Sequence, residues 1–126
     1  MGARILVIED NPANLELARY LLHARGHTVV CAVDGAQGIA LAHTEQPDLV
    51  LSDIGMPVID GYEVVRRLRA DPACRDLTIV ALTAYSMPGD HGKALSSGFD
   101  GYLSKPVDPE TFAQQVECFL PARGTA

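Results

Sequence analysis

The feature of this sequence that most limits its fold is a fivefold alternation of short apolar runs with longer amphipathic segments. The runs are rich in Val, Ile and Leu and do not alternate with polar residues, a pattern typical of strands buried on both faces of a parallel sheet. The predicted strands are Arg4–Ile8, Thr28–Ala32, Asp48–Ser52, Leu77–Leu82 and a short fifth strand near Tyr102-Leu103.

Helix-starting and helix-ending residues mark the segments between these runs. Asn11 can cap a first helix that has Pro12 at its first position, and Gly26 can end it. Asp108 and Pro109 predict the start of the last helix in the same way. The remaining predicted helices follow the turn at Asp34-Gly35, the cap residue Asp60 and, with a weaker pattern, Lys93–Ser97.

Strands that alternate with helices predict an α/β fold with a parallel sheet, right-handed crossovers and helices on both faces. The length of 126 residues suits one domain, and a hydrophobic fraction of 48% suits a packed core. We therefore expect a single domain over residues 1–126, with 121–126 as a flexible tail. In an open α/β sheet the ligand binds beyond the carboxyl ends of the strands. The residues that directly follow the predicted strands are therefore the candidate site residues.

The charge balance and the apolar pattern exclude several classes of protein. A net charge of −6 argues against direct nucleic-acid binding, which depends on Lys and Arg. The longest apolar runs are far shorter than the roughly 20 residues of a transmembrane helix, and no signal peptide is present, so the sequence predicts a cytoplasmic protein without membrane association. The cysteines lack a C-x-x-C spacing and are predicted to be buried, reduced thiols: Cys31, Cys74 and Cys118.

Two other polar groups have unremarkable interpretations. His23 and His27 are predicted to be surface residues, because Gly26 separates them and no acid completes a zinc set. Arg66, Arg67 and Arg69 are predicted to form a solvated helix face.

Acidic side chains follow two strands that we expect to be neighbours. Glu9 and Asp10 come after the first strand and Asp53 after the third, so three carboxylates would share one crevice and favour a hard divalent cation such as Mg²⁺. Thr83 and Lys105 stand at the ends of the fourth and fifth strands and could contact a phosphoryl group. A carboxylate can attack phosphorus, so Asp53 is predicted to be a nucleophile.

Four motifs at these strand ends give the sequence a clear family resemblance. They are Ile5-Leu6-Val7-Ile8-Glu9-Asp10-Asn11, Asp53-Ile54-Gly55-Met56-Pro57 with Asp60-Gly61, Ala81-Leu82-Thr83-Ala84, and Gly98-Phe99-Asp100-Gly101-Tyr102-Leu103-Ser104-Lys105-Pro106. In this order they resemble the receiver domain of two-component response regulators, of the single-domain or hybrid-kinase type. The match extends over about residues 4–120.

The resemblance implies a flavodoxin-like, doubly wound sheet of five parallel strands in the order 2-1-3-4-5, with five helices. It implies a phosphorelay signalling protein, and not an enzyme with a separate substrate, that takes a phosphoryl group from a phosphohistidine onto Asp53. Mg²⁺ would be held by Glu9, Asp10, Asp53 and the backbone carbonyl of Gly55. Lys105 would contact a phosphoryl oxygen.

The resemblance also implies a conformational switch. Thr83 would move toward the phosphoryl group, and Tyr102 would turn inward behind it, which changes the face formed by the fourth helix, the fifth strand and the last helix. The Lys105-Pro106 bond is expected to be cis. Gly55 and Tyr85 stand two residues after the acceptor and after Thr83, and their expected effects on the lifetime of the phosphoryl group oppose each other.

The implied partners are a sensor histidine kinase or histidine phosphotransfer protein and a downstream protein that binds the switch face. A phosphorylation-dependent homodimer is left open. The start at Met1 and the short tail after Leu120 favour a stand-alone regulator without an effector domain.

Three alternatives remain. A Mg²⁺-dependent phosphatase with an aspartyl nucleophile would need an acid at Gly55. A flavin-binding module would need a phosphate loop in place of Glu9-Asp10. A receiver that has lost phosphorylation and acts only by docking would not need the complete set of site residues, which this sequence has: Glu9, Asp10, Asp53, Thr83 and Lys105.

Overall fold

The sheet is parallel and has five strands in the order β2-β1-β3-β4-β5, as the resemblance implies. The computed structural model describes residues 2–84 and 90–120, with the backbone alone for residues 90 and 91. The strands are Arg4–Ile8 (β1), Thr28–Ala32 (β2), Leu49–Asp53 (β3), Thr78–Thr83 (β4) and Gly101–Ser104 (β5). The helices are Pro12–Ala24 (α1), Gly35–Glu45 (α2), Gly61–Ala70 (α3), Asp90–Ser96 (α4) and Phe112–Glu117 (α5).

The strand register places the predicted acidic residues at one edge of the sheet. Ile8 of β1 pairs with Ser52 of β3, so Glu9 and Asp53 leave their strands side by side. Asp53 in turn pairs with Leu82 of β4, one residue before Thr83. The position of the acidic site therefore follows from strand pairing.

Two apolar clusters, one on each face of the sheet, form the core. Inward-facing side chains alternate along each strand: Ile5 and Val7 pack on the face covered by α1 and α5, and Leu6 and Ile8 pack on the opposite face, against α2 and α3. Every residue of β3 is buried, as expected for the central strand of a doubly wound sheet.

The predicted caps of α1 and α3 are confirmed. The Asn11 side chain accepts hydrogen bonds from the backbone N–H groups of Ala13 and Asn14, at 2.9 and 3.0 Å. The Asp60 carboxylate accepts from the backbone of Glu63 at 2.9 Å. These bonds satisfy N–H groups that a helix start leaves without a partner.

The predicted start of the last helix is wrong by three residues. Asp108 does cap backbone groups, but its carboxylate accepts from Glu110 N–H at 2.9 Å and its carbonyl oxygen accepts from Thr111 and Phe112. These bonds close a turn, and α5 begins only at Phe112. The prediction of a flexible tail at 121–126 lies outside the described residues.

Three predictions about surface residues need correction. His27 is not a surface residue: it is 7% exposed, whereas His23 is exposed as predicted. Cys74 is buried, but Cys118 is exposed and Cys31 is intermediate, so burial of all three thiols was a wrong prediction. The Arg69 side chain is only 24% exposed, because it is held by backbone groups of neighbouring segments.

Arg69 connects α3 to the segments that lead into β4 and β5. Its guanidinium group donates to the carbonyl oxygens of Gly98 and Leu77 at 2.8 and 2.6 Å, and it also contacts the Asp100 carboxylate at 2.9 Å. Arg66 and Arg67 remain exposed and pair with Glu63. Arg69 therefore attaches α3 to neighbouring segments, whereas Arg66 and Arg67 form a solvated face as predicted.

Candidate functional site

The carboxyl edge of the sheet holds a cluster of three acidic side chains. Glu9, Asp10 and Asp53 each offer a carboxylate oxygen, and these atoms all lie within 4.8 Å of one another. Glu9 is 1% and Asp53 5% exposed, whereas Asp10 is exposed to solvent. The structure thus brings together the three acids that the sequence predicted to converge.

Lys105 supplies the positive charge that faces two of these acids. Its Nζ lies 2.8 Å from Glu9 Oε1 and 3.1 Å from Asp53 Oδ1. Within the described residues the immediate cluster therefore contains three carboxylates and one ammonium group, and it carries an excess of negative charge when all four are ionised.

The pKa values of Glu9 and Lys105 reflect this arrangement. Burial raises the pKa of Glu9 above its ordinary value, and the contact with Lys105 and the N–H bond from Asn11 only partly oppose this effect. Burial alone would lower the pKa of Lys105, but its bonds to Glu9 and Asp53 outweigh burial and raise it. Lys105 therefore stays protonated at neutral pH.

Backbone N–H groups hold two of the acidic side chains, those of Glu9 and Asp53, in place. The Asn11 N–H donates to Glu9 Oε2 at 3.1 Å, and the Gly55 N–H donates to Asp53 Oδ1 at 3.2 Å. Gly61 lets the start of α3 approach the end of β3, because a Cβ atom there would lie 2.6 Å from the carbonyl oxygen of Asp53. The loop after Asp53 is therefore folded tightly against its own strand.

Gly55 leaves space beside the acidic cluster. It is exposed, and a Cβ atom at this position would have no neighbour within 4 Å. A cleft of about 230 Å³ also opens beside Glu9 and Lys105, with Ala84 and Pro106 among its lining residues. The site is accessible to small molecules and ions from this side.

Thr83 and Tyr102 are placed differently from the acids. Thr83 is buried at the end of β4, and its carbonyl oxygen accepts from the Lys105 N–H at 2.8 Å. Tyr102 is half-buried on β5 and packs against the apolar cluster on the α2 and α3 face. Tyr85, which was predicted to influence the lifetime of the phosphoryl group, lies outside the described residues.

The connection after β5 has the expected geometry. The bond between Lys105 and Pro106 is cis.

Sequence reasoning missed two polar clusters at the opposite edge of the sheet. His27 lies between the backbone N–H of Ala3, which donates to Nδ1 at 3.0 Å, and the Glu117 carboxylate, which is 2.8 Å from Nε2. The second cluster contains His43, Asp71 and Cys74. His27 and His43 are far in sequence from their acidic partners Glu117 and Asp71, so no local motif could have indicated these contacts.

None of the helices in the ranges 2–84 and 90–120 combines the length and apolarity needed to cross a bilayer.

Comparisons with known proteins show which family the chain resembles over almost its whole length. A family model described as the response regulator receiver domain matches residues 5–117. The polar-differentiation response regulator DivK of Brucella anthropi is 32% identical over 120 residues, which cover 95% of this chain and 98% of the relative.

Solved structures give the same result. The chemotaxis response regulator CheY4 of Vibrio cholerae is 28% identical with a TM-score of 0.89, and the similarity covers 95% of this chain and all of that one. The receiver domain of the sensor histidine kinase PA1611 from Pseudomonas aeruginosa PAO1 is 34% identical with a TM-score of 0.84, covering 94% and 98% of the two chains. That structure has a magnesium ion coordinated in its active-site cleft.

Proposed function

The chain belongs to the response regulator receiver domain family of phosphorelay signalling proteins, and on that premise we propose that Asp53 is its phosphoryl-accepting residue. The donor is a phosphohistidine on a sensor histidine kinase or on a histidine phosphotransfer protein. The observation that carries this proposal is the position of Asp53, whose buried carboxylate lies among two further acids and 3.1 Å from the Lys105 ammonium group.

The proposed reaction is a direct transfer between two side chains. A carboxylate oxygen of Asp53 attacks the phosphorus atom, and the bond between phosphorus and the histidine nitrogen breaks. The nitrogen keeps the electron pair and takes a proton from water, and Asp53 becomes an acyl phosphate. The exposed Gly55 leaves the attacking face open to the donor protein.

The donor set at this edge fits Mg²⁺. Glu9, Asp10 and Asp53 offer carboxylate oxygens within 4.8 Å of one another, and all-oxygen ligands with room for water are what this ion prefers. We assign the backbone carbonyl of Gly55 as a fourth protein ligand. The bound ion would neutralise phosphoryl oxygens during transfer. Three carboxylates facing one ammonium group leave the cluster short of positive charge, and a divalent cation would supply it.

Lys105 and Thr83 complete the proposed catalytic group. Lys105 Nζ already contacts Asp53, and a phosphoryl group on that side chain would bring an anionic oxygen to the same ammonium group. Thr83 lies on the neighbouring strand, where its hydroxyl could donate a hydrogen bond to a second phosphoryl oxygen. Both interactions would stabilise the phosphorylated state of Asp53.

The same two strands connect the site to a proposed output surface. We assign Thr83 and Tyr102 as switch residues, because Tyr102 pairs with Ala81, two residues before Thr83, and is partly buried against the apolar cluster. Their movement would change the face formed by α4, β5 and α5, where a downstream protein binds. The protein is proposed to act in the cytoplasm as one receiver domain over residues 1–126, without direct nucleic-acid or membrane binding.

The acceptor assignment is tested by labelling with acetyl phosphate and Mg²⁺. Asp53→Asn is expected to abolish labelling, because an amide cannot form the acyl phosphate, while Asp76→Asn at an exposed position should label like the parent. Phosphorylation is measured by mass spectrometry of the intact protein. Equal labelling of Asp53→Asn and the parent would show that the acceptor is another residue.

The switch assignment is tested by separating chemistry from output. Tyr102→Ala should keep labelling within about twofold of the parent, whereas the phosphorylation-dependent change in partner affinity should be lost. Lys105→Ala should keep the fold and lose the same coupling, since the ammonium group that would hold the phosphoryl oxygen is absent. Gel filtration of the labelled parent measures homodimer formation in the same samples. Loss of labelling in Tyr102→Ala would place this residue in the chemistry and not in the switch.

A further inference from the structure

His43, Asp71 and Cys74 form a cluster of mixed donors away from the acidic site. One ligand atom from each residue lies within 4.8 Å of the other two. His43 is in the last turn of α2, Asp71 is the C-cap of α3, and Cys74 follows in the turn before β4. Since α2 and α3 end where β3 and β4 begin, the cluster lies at the opposite edge of the sheet from Asp53.

The backbone holds these donors in a fixed turn. The Cys74 N–H donates to the Asp71 carbonyl oxygen at 2.9 Å, and the Leu77 N–H donates to the Cys74 carbonyl oxygen at 3.0 Å. The Asp71 carboxylate is oriented by the Ala73 N–H at 2.9 Å and by His43 Nδ1, also at 2.9 Å. The Asp71 and Cys74 donors are therefore preorganised, and the more exposed imidazole completes the group.

The chemical types of these donors select a particular class of cation. Zn²⁺ binds the three kinds of ligand atom present here, which are an imidazole nitrogen, a carboxylate oxygen and a thiol sulfur. Mg²⁺ instead binds almost exclusively oxygen ligands. Asp71 is ionised at neutral pH, because the Ala73 N–H and the contact with His43 lower its pKa. Burial raises the pKa of Cys74, so its thiol keeps its proton until a cation displaces it.

We propose that His43, Asp71 and Cys74 form a second cation site, which binds Zn²⁺ and fastens the end of α2 to the end of α3. Binding forms Zn–N, Zn–O and Zn–S bonds and releases the thiol proton of Cys74 to solvent. When His43 binds through Nδ1, the proton of the neutral ring resides on Nε2, and water supplies the remaining ligand.

Cobalt titration of the full chain tests the sulfur ligand directly. Co²⁺ replaces Zn²⁺ in such sites, and a thiolate ligand produces a charge-transfer band in the near ultraviolet. The parent and Asp53→Asn should both show this band, saturating at a single equivalent, and Zn²⁺ should remove it while excess Mg²⁺ should not. Among the described residues, the metal-binding group at the acidic site consists of three carboxylates and has no thiol, so Co²⁺ bound there does not give this signal. A parent protein without the band would overturn the proposal.

Matched variants separate ligand loss from general damage. Cys74→Ala should lose the band, but Cys74 also belongs to the packed core. His43→Ala is the cleaner test, since this side chain is 58% exposed, and it should weaken Co²⁺ binding at least about tenfold. Cys118→Ala and His23→Ala, which replace exposed residues of the same types, should bind like the parent. Undiminished binding by His43→Ala, or a band that depends on Cys118, would show that this cluster is not the site.

A thermal measurement gives a second readout. Zn²⁺ should raise the unfolding temperature of the parent and of Asp53→Asn, because a ligand that binds only the folded state stabilises it. The rise should be absent in His43→Ala. An equal rise in that variant would contradict the proposed fastening of α2 to α3.

Discussion

The two edges of the sheet both contain clusters of ionisable side chains, but these are arranged in opposite ways. At the carboxyl edge, one lysine faces two of three clustered carboxylates. At the amino edge, the single carboxylate of Glu117 is paired with both Arg25 and His27. The first arrangement has an excess of negative charge, and the second is satisfied by protein groups alone.

The His27 cluster shows what a satisfied network looks like. Because Nδ1 accepts from the Ala3 N–H, the ring proton of neutral His27 is on Nε2, which donates to Glu117. Arg25 donates to the same carboxylate. This network joins β1, the turn before β2 and α5 and needs no external ligand. In these two clusters, the excess of carboxylates is found at the proposed ligand site, and the paired carboxylate joins segments of the fold.

The largest expected effect on the free energy of unfolding comes from removing the His27 side chain, which bonds both Ala3 and Glu117. His27→Ala should lower the free energy of unfolding by about 2–3 kcal/mol, because the buried Ala3 N–H and the Glu117 carboxylate each lose a partner. Urea denaturation measures this loss, and His23→Ala at an exposed position should change it by less than about 0.5 kcal/mol. Labelling of Asp53 should be unchanged. If His27→Ala lost Asp53 labelling in proportion to its loss of stability, the two edges of the sheet would not act independently.

A smaller effect is expected for the carboxylate of the same network. Bonds from Arg25 hold the pKa of Glu117 at about 2, below its ordinary 4.5. The unfolded chain therefore binds more protons in this range, and the stability from Glu117 is present above pH 4.5 and is lost as the pH falls toward 2. Glu117→Gln should cost about 1 kcal/mol at pH 7 and little at pH 2–3, since Arg25 is partly exposed and screened.

Urea denaturation of the parent and Glu117→Gln across this pH range isolates the contribution of Glu117. The two stability curves should converge as the solution becomes acidic. Parallel curves would mean that ionisation of Glu117 does not contribute to the fastening.

The smallest effect is expected at the carboxyl edge, and it has the opposite sign. The pKa of Glu9 is raised by burial, so the folded protein binds more protons than the unfolded chain just above pH 4.5, and stability falls as the pH rises through this window. Glu9→Gln should therefore gain stability at pH 7, by no more than about 1 kcal/mol, when EDTA removes divalent cations.

Mg²⁺ should reverse the order of stability of the two proteins, so that the parent becomes more stable than Glu9→Gln. The parent should gain stability from Mg²⁺ through the acidic cluster, whereas Glu9→Gln should gain less because it offers one carboxylate fewer. Thermal unfolding with Mg²⁺ and with EDTA measures both effects. Destabilisation of Glu9→Gln at pH 7 in EDTA would show that its contact with Lys105 outweighs the cost of burying its charge.

The sequence predicts one of these edges much better than the other. The apolar runs predict the strands and the family resemblance implies their order, which places Glu9 and Asp53 at the ends of neighbouring strands, as the structure confirms. The network of His27 depends on Glu117, a residue 90 positions away on a different helix, and no local pattern indicates that contact. The convergence of the acids at the strand ends can therefore be predicted from the sequence, whereas the long-range contact between His27 and Glu117 cannot.

The start of α5 shows a different limit of sequence reasoning. Asp108 followed by Pro109 is a favourable helix start, but an Asp side chain can also close a turn by bonding the backbone two residues later. The bond from Glu110 N–H to Asp108 shows that the turn forms here. Local propensity leaves the two outcomes close in free energy, and the surrounding packing decides between them.

The position of Arg69 limits how the α4 side of the molecule can move. Its bonds to Gly98 and Leu77 attach the end of the α4 segment and the beginning of β4 to α3. We expect α4 to pivot about the fixed point at Gly98 when the proposed switch acts, and not to slide as a whole. Arg69 would then set the axis of the motion while lying far from the residues that start it.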